Sequence, residues 1–359
     1  MKAAVCRAFN QPLIIEDVTL APPSRGEVRV RVRACAICHS DIFYMEGAWG
    51  GRLPAVYGHE AAGVVEELGP GVSQAAPGDH VVVTLIRSCG HCHYCAQGES
   101  VLCEGDFHLD HETPLHTPGG EALTHGLRTG AFAEEVVVDA SQVVAIPKDV
   151  PLDSASLLAC GVITGMGAVT NTAQMPSGVH AVVVGTGGVG LNTVQGCLIR
   201  GARTITAVDL SDEKLAAAER FGATHRVNLR REDAAARIRE ISGGRGADYV
   251  FVTVGAKAAF DQSFGYLGKG GTLVLVGMAA DGVTSEFDPG TVAGWNQRVL
   301  GSKMGSARLG VDIPTLVDLY RQGRLKLDEL ITGRYPLADI NEAVAAVSRG
   351  RALRNVIVF

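Results

Sequence analysis

Residues 180–199, HAVVVGTGGVGLNTVQGCLI, set an apolar β-type run against a glycine-rich turn and then a helical pattern. Gly185, Thr186, Gly187, Gly188, Val189 and Gly190 fit the spacing G-x-G-x-x-G. Glycines there allow a tight turn and a close backbone approach, and the first amides of the helix face an anion such as a pyrophosphate. The spacing by itself also suits an ordinary turn; the strand before it and the helix after it favour dinucleotide binding. Nineteen residues beyond Gly190 the run TITAVD ends in Asp209. A carboxylate at that place accepts ribose hydroxyls and repels a 2′-phosphate, which favours NAD over NADP. A plain cap on the following helix is the competing reading of Asp209. Lys214, one turn further on, suits ribose support and a solvated face equally.

Working outward, HAVVVG, TITAVD, HRVN, ADYVFVTV, GTLVLVG and RVLGSK read as six strands alternating with helices such as SDEKLAAAERFG. That alternation predicts a doubly wound parallel sheet. Upstream, EVRVRVRA, AAGVVEEL, DHVVVTL and FAEEVVVD are short β-type runs broken by Gly and Pro, the texture of a compact, mostly antiparallel β unit. LDSASLLACGVITGMGAV (152–169) reads as one apolar small-residue helix joining the two halves, and the terminal RNVIVF as a strand that rejoins the first.

The 359 residues, 47% of them hydrophobic and 19% charged, suit a folded protein of two domains. A formal charge of −6 with scattered basic residues argues against nucleic-acid binding, which needs a basic stripe. The N-terminus lacks the apolar core of a signal peptide and no long apolar run occurs, so a cytoplasmic location without membrane contact is expected. In a reducing compartment clustered cysteines serve as metal ligands or redox pairs rather than disulfides.

Four of the nine cysteines, Cys89, Cys92, Cys95 and Cys103, lie at short spacing in CGHCHYC and just beyond it. Four thiolates converge tetrahedrally on zinc and close its coordination, so this centre would be structural. His91 and His93 are expected to point to solvent. Chemistry must lie elsewhere, and CAICHSD (35–41) and YGHEAAG (57–63) supply Cys38 and His59, with Cys160 downstream. Two sulfurs, one imidazole and an open position define a catalytic zinc. The residues equally admit a core role for Cys160 and a redox pair formed by Cys35 and Cys38.

CHSD, GHEAAGVV, CGHCHYC, LLACGVITGMGA and GTGGVG, in this order over nearly the whole chain, resemble the zinc-dependent medium-chain alcohol dehydrogenases. The resemblance implies a GroES-like catalytic domain (1–161 and 302–359) around a Rossmann domain that binds NAD (162–301). It implies that Cys38, His59 and Cys160 hold a catalytic zinc and the four clustered cysteines a structural one, two zinc ions per chain. It also makes Ser40 the proton relay, Asp41 the carboxylate that orients the histidine, and Glu60 the acid behind the metal. Thr164 would flank the nicotinamide, Arg354 would reach the pyrophosphate, and His39 fills a slot where some members place a phosphate contact.

The implied reaction is reversible hydride transfer between an alcohol or aldehyde and NAD(H). Trp49 and Leu85 fall where members line the substrate cleft, which points to an apolar primary alcohol, aromatic or longer-chain. Three positions separate this chain from neighbouring branches. Phe43 stands where liver-type enzymes carry a histidine three residues after the relay hydroxyl, so the proton leaves by another path. Phe107 stands where glutathione-dependent formaldehyde enzymes carry an arginine, which disfavours that activity. Cys160 replaces the glutamate usual in polyol dehydrogenases. A polyol or formaldehyde enzyme, or an inactive nucleotide-binding homologue, are the alternatives. The length of the segment 103–131, with four histidines, resembles dimeric members, and it is expected to be a solvated loop.

Overall fold

A computed structural model describes residues 1–350 and 352–359. They separate into two compact units, Met1–Cys160 with Arg308–Phe359, and Gly161–Ala307.

The first unit is built on a seven-stranded sheet in which Glu27–Ala36, the longest strand, lies between Glu60–Leu68 and the terminal strand Arg354–Val358. Alternation decides its faces. Val28, Val30 and Val32 are buried while Arg29, Arg31 and Arg33 point outward, Arg29 toward Glu67 and Arg31 toward Glu66. Neighbours pair antiparallel, except that Arg354–Val358 runs parallel to Ile331–Pro336. A four-stranded sheet that includes Lys2–Cys6 and Ile14–Asp17 completes the β layer around a core of Val, Ala, Ile and Phe132. This is the mostly antiparallel unit the sequence texture predicts, and the GroES-like architecture the family resemblance implies.

In the second unit the six expected strands form one parallel sheet: His180–Val184, Thr204–Asp209, His225–Asn228, Ala247–Val252, Leu267–Leu275 and Arg298–Gly301. Numbered within the sheet they run 3-2-1-4-5-6, the Rossmann order. Inner strands such as HAVVV and ADYVFV are Val-rich because helices cover both faces of such a sheet. The order reverses beside His180–Val184, where a crevice opens outside the strand ends.

Two expectations are corrected. Residues 152–169 are not one helix: Leu152–Ser156 passes through a 3-10 turn, Cys160 leaves helical geometry (φ −144°, ψ −69°), and Gly161–Gly167 begins a new helix. A tertiary contact holds the break: Thr84 Oγ1 donates to the Ala159 carbonyl, just before Cys160, at 2.7 Å. Nor is 103–131 a solvated loop, since Leu115 and Leu123 are fully buried and its short strands pair with Thr19–Leu20 and Ala55–Val56. No single described helix is long and apolar enough to cross a membrane.

Candidate functional site

Within the first unit the sheet brings one reactive cluster together. Cys38 immediately precedes the helix His39–Glu46, and Glu60, the first residue of its strand, stands in register opposite Ala36. Gly58, at φ +92°, turns the chain so that His59 faces inward; a Cβ there would lie 2.6 Å from the Phe132 amide nitrogen. Cys160 arrives from the broken helix, its preceding carbonyl fastened by Thr84. The two sulfurs, one ring nitrogen of His59 and one oxygen of Glu60 all lie within 4.8 Å of one another, and all four residues are buried.

Asp41 organises this cluster. Its Oδ1 meets His59 Nδ1 at 2.9 Å and accepts the Gly58 amide at 3.0 Å, while Oδ2 accepts the Cys38 amide at 3.1 Å. An anion on Nδ1 assigns the proton to that nitrogen and leaves the Nε2 lone pair free for a metal. His59 Nε2 is buried without a hydrogen-bond partner among the described residues, the condition of an atom awaiting a ligand. Burial opposes charge on His59, but Asp41 and Cys38 outweigh it and raise its pKa well above the usual value. The same negative field draws a divalent cation, which competes with that proton. Cys160 bonds to Cys38 and pulls its thiol well below the ordinary value, while that bond and burial hold Cys160 well above it.

Behind the cluster Arg354, 6% exposed, pairs with Glu60. Burial pushes the Glu60 carboxyl up to about 7, against the pull of Arg354. The guanidinium expected at the pyrophosphate is thus engaged with Glu60. Ser40, half-buried, occupies the first turn of the helix between Cys38 and Asp41, and His39, exposed, begins it. The Trp49 ring packs edge-on against Phe43 at 5.1 Å and Tyr44 at 5.5 Å. Cys35 stays out of the cluster, buried with its sulfur toward the Ala36 carbonyl, and forms no disulfide.

The sulfurs of Cys89, Cys92, Cys95 and Cys103 form a second, half-exposed cluster, again within 4.8 Å of one another. Amides of Cys89 and Gly105 point at Cys103 Sγ and that of Cys92 at Cys89 Sγ, at 3.2 to 3.3 Å, a setting that favours thiolates. Amide donors bring the Cys92 thiol down to about 6, and burial lifts Cys95 to about 12. His91 and His93 turn away, to the Cys89 carbonyl and to Gln97. A fastening that the sequence does not reveal is Arg87, almost fully buried. It donates to Gln142 and Asp110 at 2.9 Å each and lies over the Phe107 ring at 5.3 Å.

In the second unit the glycine loop ends in the helix Gly188–Ile199, whose N-cap, Gly187, offers no side chain to the first amides. A Cβ on Gly190 would sit 1.9 Å from the Gly185 carbonyl oxygen, so only glycine lets the helix start this close to the strand. Val189 O accepts from the Thr193 hydroxyl at 3.0 Å, inside the first turns. Next to Gly185 a cavity of about 520 Å³ is lined by Val184, Asp209, Leu229, Glu232, Asp233 and Tyr266, among others. Lys214 does not line it; its amide is capped by Ser211. Thr164 is buried in its helix, with Oγ1 3.7 Å from Met304 Sδ.

A GroES-like β unit bearing two cysteine-rich clusters, together with a Rossmann unit, defines a medium-chain dehydrogenase. Residues 24–148 match the model of the alcohol dehydrogenase GroES-like domain, and 188–322 that of zinc-binding dehydrogenases. The NDMA-dependent alcohol dehydrogenase of Amycolatopsis methanolica is 38% identical, over 99% of this chain and 98% of its own. The S-(hydroxymethyl)glutathione dehydrogenase of Candida maltosa is 36% identical over 99% and 96%. The crystal structure of benzyl alcohol dehydrogenase from Acinetobacter calcoaceticus superposes with a TM-score of 0.94 at 30% identity, covering 100% of this chain and 99% of that one. The chain belongs to the zinc-dependent medium-chain alcohol dehydrogenase family, a family of oxidoreductases.

Proposed function

We propose that this protein interconverts a primary alcohol, aromatic or longer-chain, and its aldehyde, using zinc and NAD(H). The observation that carries the reading is the buried His59, pinned by Asp41 at Nδ1 and left with a partnerless Nε2, in one cluster with two cysteine sulfurs. Two sulfurs and an imidazole suit zinc, and Glu60, committed to Arg354, leaves a fourth position for substrate. Cys38, His59 and Cys160 would hold that ion, and the four clustered cysteines a second, structural one. Bound zinc supplies Lewis acidity toward an alcohol or aldehyde oxygen.

The remaining work falls to the chain. The Ser40 hydroxyl takes the substrate proton and hands it onward, and Asp41 keeps His59 in its tautomer. Phe43 offers no proton path of its own. Asp209 receives the adenosine ribose, and the uncapped helix at Gly187 receives the pyrophosphate. NAD, when bound, supplies the hydride acceptor. Glu232 and Asp233 add to the negative rim of the adenosine cavity, which disfavours a 2′-phosphate. The apolar Trp49 and Phe43 pair and the benzyl alcohol dehydrogenase likeness support an aromatic substrate. A glutathione adduct is disfavoured, because Phe107 provides no cation and neighbouring Arg87 is spent on Asp110 and Gln142.

A panel of alcohols, aldehydes and S-(hydroxymethyl)glutathione, assayed with NAD(H) and NADP(H), tests the reading. Benzyl alcohol and hexanol should reduce NAD, and a zinc chelator should abolish the activity. Preference for NADP or for the glutathione adduct, or indifference to the chelator, would contradict it.

A further inference from the structure

Thr186, the first variable residue of the glycine loop, has a hydrogen bond that dinucleotide binding does not call for. Its residue is fully buried, and its Oγ1 donates to Asp209 Oδ2 at 3.0 Å while its own amide donates to the same oxygen at 2.8 Å. The other carboxylate oxygen accepts the amides of Leu210 at 2.7 Å and Ser211 at 3.0 Å. An ionised carboxylate offers about four lone-pair sites, so these donors fill it. Three of them are main-chain amides distributed over both oxygens, and they fix the carboxylate without help from the hydroxyl. The hydroxyl alone sits on a rotatable bond.

We infer that the Thr186 hydroxyl occupies in advance the acceptor site on Asp209 that a ribose hydroxyl must take, making Thr186 a specificity-determining residue that limits nucleotide affinity. The inference rests on the assignment of Asp209 to the adenosine ribose. When the ribose enters, its O–H replaces the Thr186 O–H on Oδ2, and the displaced hydroxyl gives up that bond. Binding therefore exchanges one hydrogen bond for another rather than adding one. Removing the competitor leaves the carboxylate held by its three amides and gives the ribose an open lone pair.

The test measures binding of ADP and of 2′,3′-dideoxy-ADP to the zinc-loaded full-length protein by calorimetry. Thr186→Val keeps the shape of the side chain, Thr186→Ser restores the hydroxyl, and Thr186→Ala serves should valine disturb the fold. Thr186→Val is expected to bind ADP about 3- to 10-fold more tightly, the value of one net hydrogen bond. Its affinity for dideoxy-ADP should not change, and Thr186→Ser should match the unaltered protein. Equal or weaker ADP binding by both Thr186→Val and Thr186→Ala, or an equal gain for dideoxy-ADP, overturns the inference. Should Thr186→Val and Thr186→Ala both fail to prefer ADP to dideoxy-ADP, Asp209 does not hold the ribose, and the nucleotide assignment falls together with the inference.

Discussion

Asp41 bonds with its two oxygens to three groups, and in doing so ties a helix N-terminus, a glycine turn and an imidazole into one rigid object. A residue one step away, Ser40, carries the proposed proton transfer. Ser40→Ala is expected to lower kcat by a factor on the order of 10² to 10⁴ while leaving zinc content unchanged. Stopped-flow measurement of NADH formation checks this, and unaltered turnover across pH would remove Ser40 from the path. Cys38, His59 and Cys160 stood out through the family resemblance, because by themselves these residues equally suit a redox pair and a core cysteine. Their supports did not stand out. Thr84 and Arg354 reach Ala159 and Glu60 from distant parts of the chain, and nothing local to a threonine or an arginine marks such a partner.

At the scale of elements, the strands of the parallel sheet alternate with helical patterns such as SDEKLAAAERFG, so all six could be placed before the structure. The segment around Cys160 could not, because small apolar residues suit a helix and the bond from Thr84 that holds the break comes from far away in the chain. The segment 103–131 misled in the opposite way: polar and histidine-rich, it still buries Leu115 and Leu123. Its His125 donates Nε2–H to the Thr129 carbonyl at 2.7 Å, and its Nδ1 is buried without a partner among the described residues. Burial brings this imidazole down to about 4, against an ordinary value of 6.5. The folded protein therefore holds His125 neutral where the unfolded chain protonates it. Its contribution to stability is complete above pH 6.5 and is lost as the pH falls from there toward 4. Between pH 7.5 and 5 the loss amounts to about 2 kcal/mol. Urea denaturation of His125→Gln, which cannot titrate, should show a pH dependence flatter than that of the unaltered protein by this amount; parallel curves would contradict it.

For the molecule as a whole, the first unit is discontinuous in sequence, and the strand Arg354–Val358 lies in its central sheet against Glu27–Ala36. RNVIVF reads as a strand, but which neighbours it takes is decided by register, so Arg354 could not be matched to Glu60 in advance. Zinc content per chain, measured with turnover on the same samples, bears most directly on the division between one reactive and one structural centre. Two ions are expected in the unaltered protein. Cys160→Ala should retain one ion and the folded state but lose NAD-dependent alcohol oxidation, whereas Cys103→Ala should lose the other ion together with thermal stability. A single ion in the unaltered protein, or full turnover in Cys160→Ala, would contradict the assignment of Cys38, His59 and Cys160 as the reactive centre.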